Sequence, residues 1–149
     1  MNQSPLPLLP CMCGNFRRSS RVLTQLYDDA LRPLGLRATQ FSVLQALSLA
    51  GELTQSQLGE ILAIDSTTLT RTLKIMSRRR WVAERPGEDR RERWLRLAKA
   101  GDAQLNRVLP AWQRVQSHLR HQLGAEVWNN LLHLTQQITT LATIQGGTR

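Results

Sequence analysis

The chain has 149 residues, enough for one domain of ordinary size, and 41% apolar content, enough to bury a core, which excludes a disordered tail protein. Twenty Lys plus Arg against eleven Asp plus Glu give a formal charge of +9 and a pI near 11.3, which points to a polyanionic partner. Aromatics are sparse at 5%, which disfavours a base-stacking RNA platform, and two cysteines are too few for a disulfide scaffold.

The first ten residues lack a basic start and are broken by Pro5, Pro7 and Pro10, so no secretory signal is readable. Phe16, Ser20, Leu23, Tyr27, Ala30 and Leu34 then recur at steps of three and four, the stripe of a long helix that Pro33 and Gly35 end. Thr39 stands as a cap before a second helix with Phe41, Leu44 and Leu47 on one face, ending at Gly51. Thr54 and Gln57 make a capping box for a short third helix with Leu58, Ile61 and Leu62 buried, running to about Ala63. Asp65-Ser66 starts a fourth helix to about Arg80, with Leu69, Leu73 and Met76 inward and Thr67, Thr68, Arg71, Lys74 and Arg78 outward. Two short helices joined tightly, the second presenting hydroxyls and cations, form the pattern of a helix-turn-helix suited to phosphates and base edges in a major groove.

Trp81–Arg85 and Glu92–Leu97 alternate and are β-prone, and Pro86-Gly87 marks a turn between them, so they read as a two-stranded hairpin or wing. Its tip carries Arg90 and Arg91, of the right shape and charge for a narrow minor groove. The charge distribution agrees: ten basic and four acidic side chains, six of the nine net positive charges, lie between Arg71 and Arg96. Such a run is also what a solvated face looks like, but the dominance of Arg and the turn within it favour a polyanion-binding surface. Beyond Gly101, Leu105, Val108, Trp112, Val115 and Leu119 mark a helix with a kink expected at Pro110. Val127, Leu131, Leu134, Ile138 and Leu141 mark another after Gly124. These apolar faces exceed what a small winged helix needs and predict dimerisation together with the first helix. The uncharged stretch from Val127 to Thr148 carries Asn, Gln, Thr and His133, making it a poor membrane span and a reasonable interface helix.

The expected fold is therefore mainly α: a winged helix-turn-helix at 38–98, preceded at 1–37 by a terminal segment with the first dimerisation helix and followed at 99–149 by the C-terminal dimerisation helices. No catalytic constellation or phosphate-cradling loop is visible, and no cofactor is called for; an enzyme is the least supported class. His118 and His121 are spaced i, i+3, but no acidic or Cys ligand lies near them in sequence, so no metal site is assigned. The location expected is cytoplasmic.

Taken with the order of elements, Gly35-Leu36 followed by Thr39-Gln40-Phe41, the helix start Asp65-Ser66-Thr67-Thr68-Leu69-Thr70-Arg71 and the wing Glu88-Asp89-Arg90-Arg91 resemble the MarR family of winged-helix transcriptional regulators, over roughly Cys13 to Leu141. The resemblance implies a homodimer on pseudo-palindromic double-stranded DNA, in which Ser66, Thr67, Thr68, Thr70, Arg71 and Lys74 contact groove and phosphates and Arg90 or Arg91 serves as the wing arginine. Asp89 resembles the wing acid that orients that arginine, and a turn-forming Asp is the alternative. It further implies a repressor released by a small, often aromatic or phenolic, effector. Ala98 departs from the family, which often has a Thr there to cap the next helix.

Cys11-Met12-Cys13 precedes the first helix, and Cys13 with Arg17, Arg18 and Tyr27 resembles the peroxide-sensing branch of that family, although Ala38 replaces a second tyrosine. Three readings of the cysteines stay open: an oxidation switch, an incidental thiol pair, and a metal site completed by another subunit. An alternative of another class treats the basic region as a sequence-blind nucleic-acid or protein docking surface.

Overall fold

A computed structural model describes residues 7–89 and 91–146. In chain order it contains α1 (Met12–Leu31), a single 3-10 turn at Arg32–Leu34, α2 (Ala38–Ala50), β1 (Leu53–Thr54), α3 (Gln55–Leu62), α4 (Ser66–Arg78), β2 (Val82–Pro86), β3 (Arg93–Leu97), α5 (Lys99–Leu123) and α6 (Ala125–Gly146). The mainly helical winged-helix expectation holds, with a third strand added. Leu53 and Thr54 pair antiparallel with Leu95 and Trp94 of β3, so the sheet order is β1-β3-β2. The hairpin pairs Val82 with Leu97 through Pro86 with Arg93.

Helix α1 ends where expected: Pro33 sits in the 3-10 turn and Gly35 takes a left-handed φ of 80° that closes it. The cap of α2 is a correction. Arg37, not Thr39, is the N-cap residue, and the acceptor comes from another helix: the Asp28 carboxylate takes the Ala38 N–H at 2.7 Å and pairs with Arg37 at 3.3 Å. Gln40 Oε1 accepts the Arg37 N–H, which ties down the same turn. Helix α5 starts at Lys99 although Ala98 supplies no side-chain cap, because its N–H is held by the Trp81 carbonyl at 2.9 Å.

One apolar core runs through all three expected segments. It takes Leu31 and Leu36 from the first, Phe41, Leu44, Leu47, Leu58, Leu69, Met76 and Leu95 from the winged helix, and Leu105, Val108 and Ala111 from α5. Trp112 stacks on Phe41 with ring centroids 5.5 Å apart. Gln104 Nε2 donates to the Leu34 carbonyl at 2.8 Å, joining α5 to the end of α1. The N-terminal half of α5 therefore belongs to the same packed unit as the winged helix. The remaining apolar stripes stay outside it: Phe16, Val22, Leu23 and Leu26 of α1 and Val127, Leu131, Leu134, Ile138 and Leu141 of α6 are exposed in the single chain.

Candidate nucleic-acid interface

Local rules build the helix-turn-helix. Thr54 Oγ1 accepts the Gln57 N–H at 3.1 Å while Gln57 Oε1 accepts the Thr54 N–H at 2.9 Å, the reciprocal box that starts α3. Ala63 ends α3 in a left-handed conformation with φ 50°, and the Ile64 N–H folds back to the Gly59 carbonyl at 3.0 Å. Asp65 then caps α4: one carboxylate oxygen accepts the Thr68 N–H at 2.9 Å and the other the Thr68 hydroxyl at 2.6 Å. These bonds hold the Asp65 carboxyl below the ordinary aspartate range, the Thr68 side chain being the largest cause.

Leu69, Leu73 and Met76 are buried, so the helical repeat turns Ser66, Thr67, Thr70, Arg71 and Lys74 outward, where they line a shallow depression of about 420 Å³. Thr68 stands apart. Its hydroxyl is engaged by Asp65, and it shares a flank of α4 with Thr72 and Ile75 rather than the outward face. A larger open cleft of about 1050 Å³ lies between α3, the start of α4 and the wing; Gln55, Ser66, Thr70, Asp89, Arg91 and Arg93 are among the residues lining it.

At the wing tip, the Arg91 N–H donates to Asp89 Oδ1 at 3.0 Å and the Glu92 N–H to the Asp89 carbonyl at 2.9 Å, so Asp89 organises the turn backbone. Arg91 is exposed, and Arg90 lies outside the described residues. The basic run separates into two groups. Arg79 lies over the Trp81 ring and donates to the Gly35 carbonyl, Arg85 pairs with Glu52, and Arg93 pairs with Glu84. Among the described residues, Arg71, Lys74, Arg78, Arg80 and Arg91 have no carboxylate at ion-pair distance, and Arg96 forms no ion pair but lies within the field of Glu52. Cations without an internal counter-ion are the ones available to phosphates.

Sequence reasoning missed the braces that hold the wing. Glu84 accepts the Ser77 hydroxyl of α4 at 2.7 Å and Arg93 of β3 at 3.3 Å, and Arg85 joins β2 to Glu52 just before β1. The available signal was the opposite-charge pattern of Glu84-Arg85 against Arg93 across the hairpin, but Glu52 is distant in sequence and pairs only because β1 joins the sheet.

Cys11 and Cys13 are exposed free thiols at the start of α1. Asn15 pins the chain before them by accepting the Leu9 N–H and donating to the Leu9 and Cys11 carbonyls, and Arg18 donates to the Pro7 carbonyl. Tyr27, half-buried with its phenol pKa pushed up by burial, lies fourteen residues beyond Cys13 on the same helix. At 1.5 Å per residue that is about 21 Å, so one chain does not bring the two together. His118 and His121 are exposed, and the described residues contain no group of three or more potential ligands placed to hold a metal. No helix among the described residues is long and apolar enough to cross a membrane.

The sequence model of the MarR family matches residues 34–92, the stretch from the end of α1 to the wing. The chain is 33% identical over 91 residues to the uncharacterized HTH-type transcriptional regulator YwoH of Bacillus subtilis, a match spanning 61% of this chain and 66%, less than two thirds, of that protein. Among solved structures it resembles the M. tuberculosis transcriptional regulator MosR in complex with DNA, with TM-score 0.75 and 37% identity over 88% of this chain and 98% of that one. It also resembles a cysteine-to-serine variant of MarR from E. coli complexed with operator DNA, with TM-score 0.75 and 25% identity over 85% and 92% of the two chains. These relatives are transcriptional regulators.

Proposed function

The chain belongs to the MarR family of transcriptional regulators, and we propose that it acts as a homodimeric, sequence-specific DNA-binding repressor in the cytoplasm. The observation that carries this reading is the outward face of α4, where Ser66, Thr67, Thr70, Arg71 and Lys74 stand together with no internal carboxylate on the two cations. In a major groove such a face supplies hydroxyl and guanidinium donors to phosphates and base edges, while Arg91 reaches flanking backbone or minor groove from the wing. Two such units related by a two-fold axis read a pseudo-palindrome. The exposed apolar faces of α1 and α6 support the dimer, because exposed Leu, Ile, Val and Phe side chains are stabilised by burial against a second copy.

Release follows from linkage. A small aromatic or phenolic effector that prefers a half-site spacing unsuited to DNA lowers DNA affinity by the factor by which DNA lowers effector affinity. A second reading, favoured by the exposure of both thiols at the start of the amphipathic α1, makes oxidation of Cys13 the releasing signal. Cys13→Ser separates them: it abolishes hydroperoxide-driven release under the thiol reading and leaves it unchanged otherwise.

Random-site selection followed by anisotropy against a scrambled duplex tests the main reading. At physiological salt, one dimer per duplex and a preference of about a thousandfold or more are expected. Equal affinity for both duplexes, with a steep salt slope, would leave a sequence-blind polyanion surface.

A further inference from the structure

We propose that Gln55 is a positioning residue that fixes the Thr70 hydroxyl as a hydrogen-bond donor toward a base-edge acceptor in the major groove. The inference rests on the reading of α4 as the DNA-reading helix. Gln55 is the first residue of α3, and its Nε2 donates to Thr70 Oγ1 at 2.9 Å across the helix-turn-helix. A threonine hydroxyl has one proton and two lone pairs. With one lone pair occupied from the α3 side, Thr70 keeps its proton and a single lone pair, and the proton is the group that the Gln55 amide leaves free to turn toward a strong acceptor in the groove.

The neighbouring threonines show the contrast. Thr68 donates its proton to Asp65 Oδ2 at 2.6 Å and Thr72 donates to the Thr68 carbonyl at 3.0 Å, so both are spent on the helix itself. Among the described residues Thr70 donates to no protein acceptor and receives the Gln55 amide instead. Its position matches the role, since Thr70 and Ser66 line both the outward depression of α4 and the cleft toward the wing. A hydroxyl free to rotate reads donors and acceptors alike; one polarised by a fixed neighbour discriminates between G O6, G N7 or T O4 and the amino groups of C and A.

Reversing the neighbour reverses the polarity. In Gln55→Glu the carboxylate only accepts, so the Thr70 proton turns inward and its lone pairs face the groove. The experiment measures binding of the full chain to its selected duplex and to duplexes changed at each base pair, for wild type, Gln55→Glu, Gln55→Ala and Thr70→Val, with thermal midpoints recorded for all. At one base pair per half-site, wild type is expected to favour an acceptor-presenting base by about tenfold. Gln55→Glu then inverts that preference, Gln55→Ala weakens it by about threefold or more, and Thr70→Val removes it, while other positions keep their order. The preference is a within-variant ratio, so the added negative charge cancels from it. Unchanged preference at every base pair in Gln55→Glu, or a uniform loss across sequences, overturns the proposal. Absence of sequence-selective binding by wild type fails instead the reading on which it rests.

Discussion

Arg85 meets Glu52 through two parallel hydrogen bonds, Nε to Oε1 and Nη2 to Oε2, each 2.7 Å long. The same guanidinium lies 5.1 Å from the centre of the Trp94 ring, so one side chain ties the approach to β1, strand β2 and strand β3 together. A fork-to-fork pair of this kind restricts direction as well as distance. It holds the wing against the helix-turn-helix, and with it the separation between Arg91 and the outward face of α4.

This tether depends on pH. The Arg85 hydrogen bond, as the largest cause, holds the Glu52 carboxyl below the ordinary glutamate range. A carboxylate with a lowered folded pKa stabilises fully above its unfolded value, about 4.3, and loses that contribution as pH falls through the lower folded value. Amide protection factors in β1 and β3, with the intrinsic pH dependence of exchange divided out, should stay level down to about pH 4.3 and fall below it. Glu52→Gln should show the lower protection at neutral pH and abolish the acid-dependent step. A wing equally protected in wild type and variant at every pH would show that the pair does not hold it.

Arg71 stands outward on α4 without a carboxylate partner. Arg71→Ala should weaken binding to the selected duplex by about tenfold to a hundredfold and relax preference at one or two base pairs, as expected for loss of a base-edge contact. Anisotropy over single-base variants measures it. An unchanged preference would remove Arg71 from base readout.

At the wing, Arg91→Ala should lower affinity evenly across sequences and reduce the slope of log affinity against log salt by about one. Only its backbone N–H is committed to Asp89, so the turn keeps its shape when the side chain is removed. A change confined to base preference in the major groove would contradict a phosphate or minor-groove role.

Helix α5 passes so close to the start of the wing that a Cβ at Gly101 would overlap the Trp81 carbonyl, the same oxygen that accepts the Ala98 N–H. Gly101→Ala should therefore destabilise the fold by about 1–3 kcal/mol, the range for overpacking a closed interior. Ala63→Gly should do the opposite, since Ala63 holds φ 50°, and gain up to about 1 kcal/mol. Denaturant midpoints check both; a neutral Gly101→Ala would mean that α5 can move away from the wing.

Where structure follows from neighbours in sequence, it was legible. The caps at Thr54 and Asp65 and the hairpin around Pro86-Gly87 all close within a few residues. What depended on distant partners was not. Thr39 looks like the better cap for α2, but Asp28 reaches across from α1 and places the start at Arg37. Strand β1 has two residues, and Thr54 also starts α3, so no alternation announces it. At the candidate site, the spacing of Leu69, Leu73 and Met76 placed most of the outward residues, but it did not separate Thr68, whose hydroxyl the cap takes. Nor does composition distinguish Arg85 and Arg93, tied into the wing, from Arg71 and Arg91, which are not.

The most direct test of α4 and the wing as the DNA interface is backbone amide chemical-shift mapping of the full chain titrated with its selected duplex. The largest perturbations are expected over 66–74, at Gln55 and around Asp89 and Arg91, with small ones on the exposed faces of α1 and α6. Perturbations centred on α1 or α6, with residues 66–74 unmoved, would contradict a recognition role for α4.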